Sequence, residues 1–377
     1  MPPTPAHRAW IAVLPSWYPT RALTTNGIFV NDQNAALASQ GYDVEVFYAH
    51  PAPEGWRVGP GIVEWRTERP ARGHLESVAF QIVKVLARTI RRRQAPALIV
   101  ANSPMPSGLA AAFCAQVLGG VPFVMVEHIS RPEFIADRPR NRAVYSLMTR
   151  AADVWGAVSE PHLAQCLELL PIHAARTAVI PNVVSNTFFD AAERLPWSAR
   201  EGLVFVGHLQ DDRKGLPLVL EAMSADPALR HARLQVIGRG PMQPAYAARA
   251  AELGLDNVHF LGEQTRAAVA DLLSGARVFV LPTERESFGL APLEALAARC
   301  RVVCTPMPSL LSVPTDEDGL PVLSDRSPAL WTEAIALALN AADAPASSLR
   351  DALVARHTTH AVGRWVLELA GLEPKEL

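Results

Sequence analysis

The sequence predicts an α/β protein of two doubly wound parallel sheets, and three observations carry that expectation. Short apolar runs alternate with stretches of helical spacing almost from end to end, the pattern of parallel strands joined by crossover helices. The alternation breaks between Pro181 and Pro196, where Asn182, Ser185, Asn186 and the two prolines interrupt it. The chain has 377 residues, more than one hydrophobic core usually serves, and 49% of them are apolar, ample for two.

Strands are expected at 10–14, 43–48, 97–101, 123–127, 154–157 and 177–180, then in a second series at 202–206, 233–237, 258–261, 278–281 and 301–304. Helical spacing fills most intervals, as over 29–40 and 216–223, and returns at 361–369 with Trp365. The expected domains are 1–185 and 186–356, with a C-terminal helix, 357–377, returning to the first.

A formal net charge of −2 gives no basic field for nucleic acid, so none is expected as a partner. Cys114, Cys166, Cys300 and Cys304 lack zinc-type spacing and are too few for a disulfide framework, so buried thiols are expected. The short apolar run before Pro15 reads as a strand rather than a signal peptide. The apolar stretch 109–126 is broken by Gly119, Gly120 and Pro122, so it reads as helix, turn and strand rather than a membrane span. A reduced, cytoplasmic protein is the expectation.

Open α/β sheets bind ligands beyond the carboxyl ends of their strands, and two such domains facing each other would form a cleft. The loops after the strands are therefore where chemistry is expected. After the 202–206 strand come Gly207, His208, Arg213, Lys214 and Gly215, and Pro217 is expected at the first position of the next helix. Lys214 and Arg213 then precede a helix N-terminus, whose N–H groups favour an anion; a cation there suits a diphosphate, although a solvated Lys-Gly turn is the commoner fate of such a pair.

After the 278–281 strand come Glu286, Ser287, Phe288, Gly289, Leu290 and, with Pro292 announcing a helix, Glu294 in its expected first turn. The 287–290 segment can turn backbone N–H groups toward a ligand, helped by Gly289. The two carboxylates can accept hydrogen bonds from sugar hydroxyls. The plainer alternative has Glu294 complementing the helix dipole and Glu286 exposed.

Glu286 and Glu294, with seven residues between them and Ser-Phe-Gly after the first, resemble the E-x7-E signature of the family 4 retaining glycosyltransferases. Lys214-Gly215 after Gly207 is similar to that family's phosphate-binding loop, and Gly238-Arg239-Gly240-Pro241 to its short glycine loop. Val158-Ser159 and Ile180-Pro181-Asn182-Val183 are further echoes. The resemblance implies the GT-B fold of two Rossmann-like domains, with a nucleotide-sugar donor on the C-terminal one. It also implies Glu286 on the donor sugar, Glu294 on the ribose and Lys214 on the diphosphate.

In the first half, Trp17, Tyr18, Asn26 and Gly27 follow the first strand, in a loop similar to the family's glycine-bearing loop near the donor phosphates and acceptor. Trp17 and Tyr18 either form a sugar-stacking wall or pack the loop. His128, at the end of the 123–127 strand, matches the family's active-site histidine. Arg131 either meets a charged acceptor or caps its loop.

Retention of configuration is what the resemblance implies, with Lys214 and helix N-termini stabilising charge on the leaving diphosphate. No Asp-rich metal motif is evident, so neither a divalent cation nor another cofactor is expected. A carbohydrate, lipid-linked or small-molecule acceptor is implied.

Two departures from the family pattern stand out. His208 occupies the place of an arginine, for which Arg213 and Arg239 are the candidate substitutes, and Arg299-Cys300-Arg301 replaces a glycine- and proline-bearing stretch. They motivate a weakened or inactive donor-binding subunit as the alternative, with a GT-B sugar-nucleotide epimerase as a second. The 75–93 stretch, with Val78, Ile82, Val85 and Leu86 at helical spacing before Arg88 and Arg91–Arg93, leaves room for peripheral contact with the inner membrane face. Ordinary burial already accounts for the spacing.

Overall fold

A computed structural model describes residues 8–19, 27–50, 56–59, 61–68, 75–314 and 319–375. The chain divides into two compact units, one formed by Met1–Val183 with His357–Leu377 and the other by Val184–Arg356.

Among the described residues the N-terminal unit holds eight strands: β1 (Trp10–Pro15), β2 (Asp43–His50), β3 (Trp56–Gly59), β4 (Ile62–Glu68), β5 (Leu98–Asn102), β6 (Phe123–Glu127), β7 (Val154–Ala157) and β8 (Arg176–Val179). Their order is β3-β4-β2-β1-β5-β6-β7-β8, parallel throughout except for the antiparallel pair β3–β4. β1, β5, β6 and β7 are buried along their whole length, as expected of parallel strands covered on both faces.

The β3–β4 hairpin is absent from the strands expected from sequence. β4 lies between β3 and β2, and along it Ile62 and Glu64 are buried while Val63 and Trp65 are half-buried, so no continuous apolar run announces it.

Helix Leu75–Arg93 buries Val78, Ile82 and Leu86 against the sheet. Its last arginine, Arg93, is ion-paired with Glu45 and with Asp43 at 2.6 Å, both on β2, while Trp65 Nε1 also donates to Glu45 at 2.6 Å. The basic end of this helix is thus partly a tie to the sheet. No helix among the described residues is long and apolar enough to cross a membrane. Helix Thr359–Leu369 packs on helix Ile28–Ala38, where a Cβ on Gly363 would stand 2.2 Å from the carbonyl oxygen of Ala36.

The C-terminal unit holds β9 (Leu203–Val206), β10 (Leu234–Ile237), β11 (Val258–Gly262), β12 (Val278–Leu281) and β13 (Arg301–Cys304), in the parallel order β11-β10-β9-β12-β13. In each unit the chain winds outward one way, then returns to the middle and winds the other way. The two switch points lie between β1 and β5 and between β9 and β12, where crevices form in folds of this class. Pairing between β9 and β12 ends at Val204–Phe279, whereas β9 and β10 pair as far as Val206–Ile237. The four cysteines are buried and unbridged.

The Arg299–Arg301 departure has a local explanation. Arg299 follows the helix Leu290–Ala297 and its Ala298 cap with φ +63°, the left-handed conformation that a glycine usually supplies after a helix. Buried Arg200 donates to the carbonyls of Ala298 at 2.7 Å and Arg299 at 3.1 Å, satisfying the helix end. The Arg301 guanidinium donates to the Asp343 carbonyl at 2.9 and 3.2 Å.

Candidate active site

In the C-terminal unit the loops after β9, β10 and β12 are locked together through glycines. Gly238, at φ +133°, lies so close to Gly207 that a Cβ there would stand 1.9 Å from the Gly207 carbonyl oxygen. A Cβ on Gly240 would stand 2.1 Å from the Leu209 carbonyl, and one on Gly215, at φ +77°, 2.2 Å from that of Pro282. The Glu284 N–H donates to the Arg213 carbonyl at 2.8 Å, closing the β9 loop onto the β12 loop.

Within this frame Lys214 and Glu286 form an ion pair across the β9/β12 switch point, both side chains about one-quarter exposed or less. The Lys214 stem lies over Gly207, whose Cβ would meet its Cγ at 3.4 Å. Lys214 ends a 3₁₀ turn, Asp212–Lys214, and Gly215 caps the helix Leu216–Ala225. That helix begins at Leu216, so Pro217 is its second residue rather than its first.

The β12 loop is steered by the segment after β13. Ser309 N–H donates to the Phe288 carbonyl at 2.9 Å and Ser309 Oγ to the Gly289 carbonyl at 2.7 Å. In a trans peptide the N–H opposes its C=O, so the N–H groups of Gly289 and Leu290 point away from Ser309. Phe288 is buried, Ser287 half-buried, and Gly289, at φ +88°, caps the helix Leu290–Ala297. Glu294 is therefore the fifth helical residue, past the first turn where it was expected. It is buried and paired with Arg266 at 3.5 Å.

Arg266 carried no local signal in the sequence. Arg213 is exposed and held by Asp211 within its own turn, at 2.8 Å, so the structure gives the Lys214 pair no second cation from this position. Arg239 pairs with Glu263 at 2.8 Å. The pKa of His208 is lowered by withdrawal of its ring from water and by Lys214 and Arg239, against opposing contributions from Glu263 and Glu286, so all four charges act on that ring.

In the N-terminal unit the ends of β1, β5 and β6 meet. Ser16 N–H donates to the Asn102 carbonyl at 3.0 Å, and Ser107 Oγ to the Pro15 carbonyl at 2.6 Å. His128 follows β6, buried, with Nε2 at 2.8 Å from Asn102 Oδ1 and its ring centroid 4.5 Å from that of Phe29. Burial, helped by His162, lowers its pKa to about 3, so the imidazole is neutral at pH 7. Beneath it Glu127 is fully buried and pushed up to about 7 by that burial.

Gly27, at φ +68°, abuts the Trp17 carbonyl, which a Cβ would meet at 2.5 Å. Of the two aromatic residues in that loop, Tyr18 is 1% exposed and hydrogen-bonded to Asn31 and Asn34. Of the two alternatives left open for the pair, Tyr18 takes the packing one, whereas Trp17 is exposed. Arg131 is exposed, and its carbonyl accepts from the Phe134 N–H at 3.1 Å. Asn26 lies outside the described residues.

Two family profiles match this chain in succession. That described as "Glycosyltransferase Family 4" covers residues 27–187, and that described as "Glycosyl transferases group 1" covers residues 200–341. The chain belongs to glycosyltransferase family 4.

Among relatives of this family, a D-inositol 3-phosphate glycosyltransferase of Geodermatophilus obscurus is 31% identical over 223 residues, which are 53% of this chain and 49% of the relative. A phosphatidyl-myo-inositol mannosyltransferase of Mycobacterium tuberculosis is 30% identical over 141 residues, 36% of this chain and 37% of the relative. The chain thus spans about half the length of the curated relatives it matches, or less. Among solved structures, a sucrose-phosphate synthase of Thermosynechococcus elongatus superposes with a TM-score of 0.71 at 22% identity, over 96% of this chain and 98% of the other. The two parallel-sheet units are those of the GT-B fold.

Proposed function

We propose that the protein is a retaining, metal-independent glycosyltransferase that moves a sugar from a nucleoside-diphosphate sugar to an acceptor hydroxyl of a glycan, a lipid-linked sugar or a small molecule. The observation that carries this reading is the Lys214–Glu286 pair across the β9/β12 switch point, beside the N-termini of two helices.

Lys214 is the charge for the donor diphosphate, and the cap of the Leu216–Ala225 helix adds favourable backbone dipoles. As the glycosidic bond breaks, negative charge grows on the leaving diphosphate and the pre-placed ammonium stabilises it, with no divalent cation taking part. Glu286 accepts hydrogen bonds from donor-sugar hydroxyls and Glu294 from the ribose, while His128 offers a neutral imidazole to a substrate hydroxyl. The printed names of the two relatives, an inositol 3-phosphate enzyme and a phosphatidylinositol enzyme, make inositol phosphates and lipid-linked inositols the first acceptors to try.

The test is a panel of UDP-, GDP- and ADP-sugars read by thermal shift, with donor hydrolysis and transfer followed in parallel. A ligand at a hundred times its dissociation constant adds about 2.7 kcal/mol. Lys214→Ala abolishes the diphosphate response, and EDTA leaves turnover unchanged. No stabilisation by any member of the panel sinks the reading. Arg213, turned to Asp211, and His208, neutral near pH 7, favour a second reading of weak or absent turnover; donor binding without hydrolysis or transfer would decide for it.

A further inference from the structure

The loop that carries His128 is held from two directions. Asn102 Oδ1 lies 2.8 Å from His128 Nε2, and because an amide oxygen only accepts, this orientation of the amide, whose buried Nδ2 has no partner among the described residues, places the imidazole proton on Nε2. Nδ1 then carries the lone pair, and it has no hydrogen-bond partner among the described residues.

The backbone is fixed separately. Glu127 Oε1 accepts from the N–H groups of His128 at 3.0 Å and Ile129 at 2.9 Å. Glu127 Oε2 accepts from the Tyr145 hydroxyl at 2.9 Å, and Trp155 Nε1 donates to the Tyr145 oxygen at 2.9 Å. His162 Nε2 donates to the Ile129 carbonyl at 2.8 Å. Filling this space with an apolar side chain would avoid burying a carboxylate, yet the chain places one where three donors converge on it. Ser103, directly after Asn102, holds φ +67°, a conformation costly for a residue with a Cβ.

We propose that Asn102 and Glu127 are positioning residues that present His128 with its proton on Nε2 and its Nδ1 lone pair toward a substrate hydroxyl. This rests on the reading of His128 as part of the reactive site. The titratable groups acting on this loop are Glu127 on its own strand, Tyr145 on the Pro139–Ala151 helix, and His162 and Cys166 on the Glu160–Leu169 helix.

The experiment is ¹⁵N NMR of histidine-labelled protein, with the His128 resonances identified by their loss in His128→Gln. The wild type is expected in the Nε2–H form at about pH 7. Asn102→Asp, nearly isosteric, places a carboxylate on Nε2 and is expected to give the doubly protonated signature at that pH. It should also lower kcat about tenfold or more, with the donor KM near the wild-type value. Glu127→Gln keeps an oxygen for the two backbone N–H groups and is expected to preserve the Nε2–H form and most of kcat, whereas Glu127→Leu loses both. An Nδ1–H wild type, or one already doubly protonated, overturns the assignment to Asn102. Equal losses in folded Glu127→Gln and Glu127→Leu overturn the part given to Glu127. If no donor binds or turns over, the functional reading fails while the NMR result still judges the geometry.

Discussion

The strand ends of the C-terminal unit carry opposite charges joined across loops, whereas those of the N-terminal unit carry neutral polar groups above one buried carboxylate. Lys214–Glu286 and Arg266–Glu294 are ion pairs, and Arg239–Glu263 stands on the neighbouring loop. His128, Asn102, Ser16 and Ser107 are uncharged or held neutral, and the carboxylate behind them, Glu127, is withdrawn from water. The same topology, a switch point flanked by loops, is thus filled in two ways. Paired charges held by glycine contacts suit an anion, and a fixed neutral imidazole suits a hydroxyl.

The charged site should suffer most when its glycine frame is disturbed. Gly238→Ala puts a Cβ into the Gly207 carbonyl at a backbone angle that strains any side chain. It should cost about 3 kcal/mol or more, read by denaturant unfolding, and should remove donor binding. An alanine variant of wild-type stability would mean that the β9 and β10 loops are not locked as described.

The neutral character of the N-terminal site can be tested through pH. Glu127, at about 7 when folded against an ordinary 4.5, holds its proton more tightly in the folded chain. Its contribution to stability is full below pH 4.5 and lost as pH rises through 7. His128, at about 3 against 6.5, acts oppositely: its contribution is full above pH 6.5 and lost as pH falls through 3. Over the shared window the two slopes offset each other. His128→Gln should therefore make the protein less stable with rising pH relative to wild type, and Glu127→Gln less stable with falling pH. Between pH 4.5 and 6.5, where both groups act, each difference should amount to roughly 3 kcal/mol in pH-dependent unfolding. Parallel curves for both variants would show that these groups are not buried as described.

The charged character of the other site predicts a smaller and opposite pair of effects. Glu286→Gln removes the ligand's competitor for Lys214, so a nucleoside diphosphate should bind as well as in wild type or up to about tenfold tighter, a change of about 1.4 kcal/mol. The preference for the sugar-bearing form should fall, and calorimetry with the diphosphate and its sugar reads both. Smallest is Arg299→Gly, which relieves the left-handed residue after the helix and should stabilise by about 0.5–1 kcal/mol, since the exposed Arg299–Glu193 pair it removes contributes little. A destabilised variant would mean that the helix end depends on that side chain.

Much of the candidate site was legible because its residues close apolar runs. Lys214, Glu286 and His128 each follow a strand that its neighbours announce. Asn102 and Glu127 were equally available to that rule, as the last residues of β5 and β6, but their partners belong to other strands and helices. Arg266 and Arg200 lie outside the strand-end loops, and what they touch, Glu294 and the end of the Leu290–Ala297 helix, is remote in sequence.

By itself the sequence determined the alternation of strands and helices, the place where the two series divide, and which loops carry charge. These depend on periodicity and turn chemistry over a few residues. Only the tertiary structure decided that Lys214 meets Glu286, 72 residues away, that Tyr18 turns inward while Trp17 does not, and that Asn102 and Glu127 hold His128. Sheet order sets those contacts, and it follows from how crossovers pack rather than from the order in which strands are written.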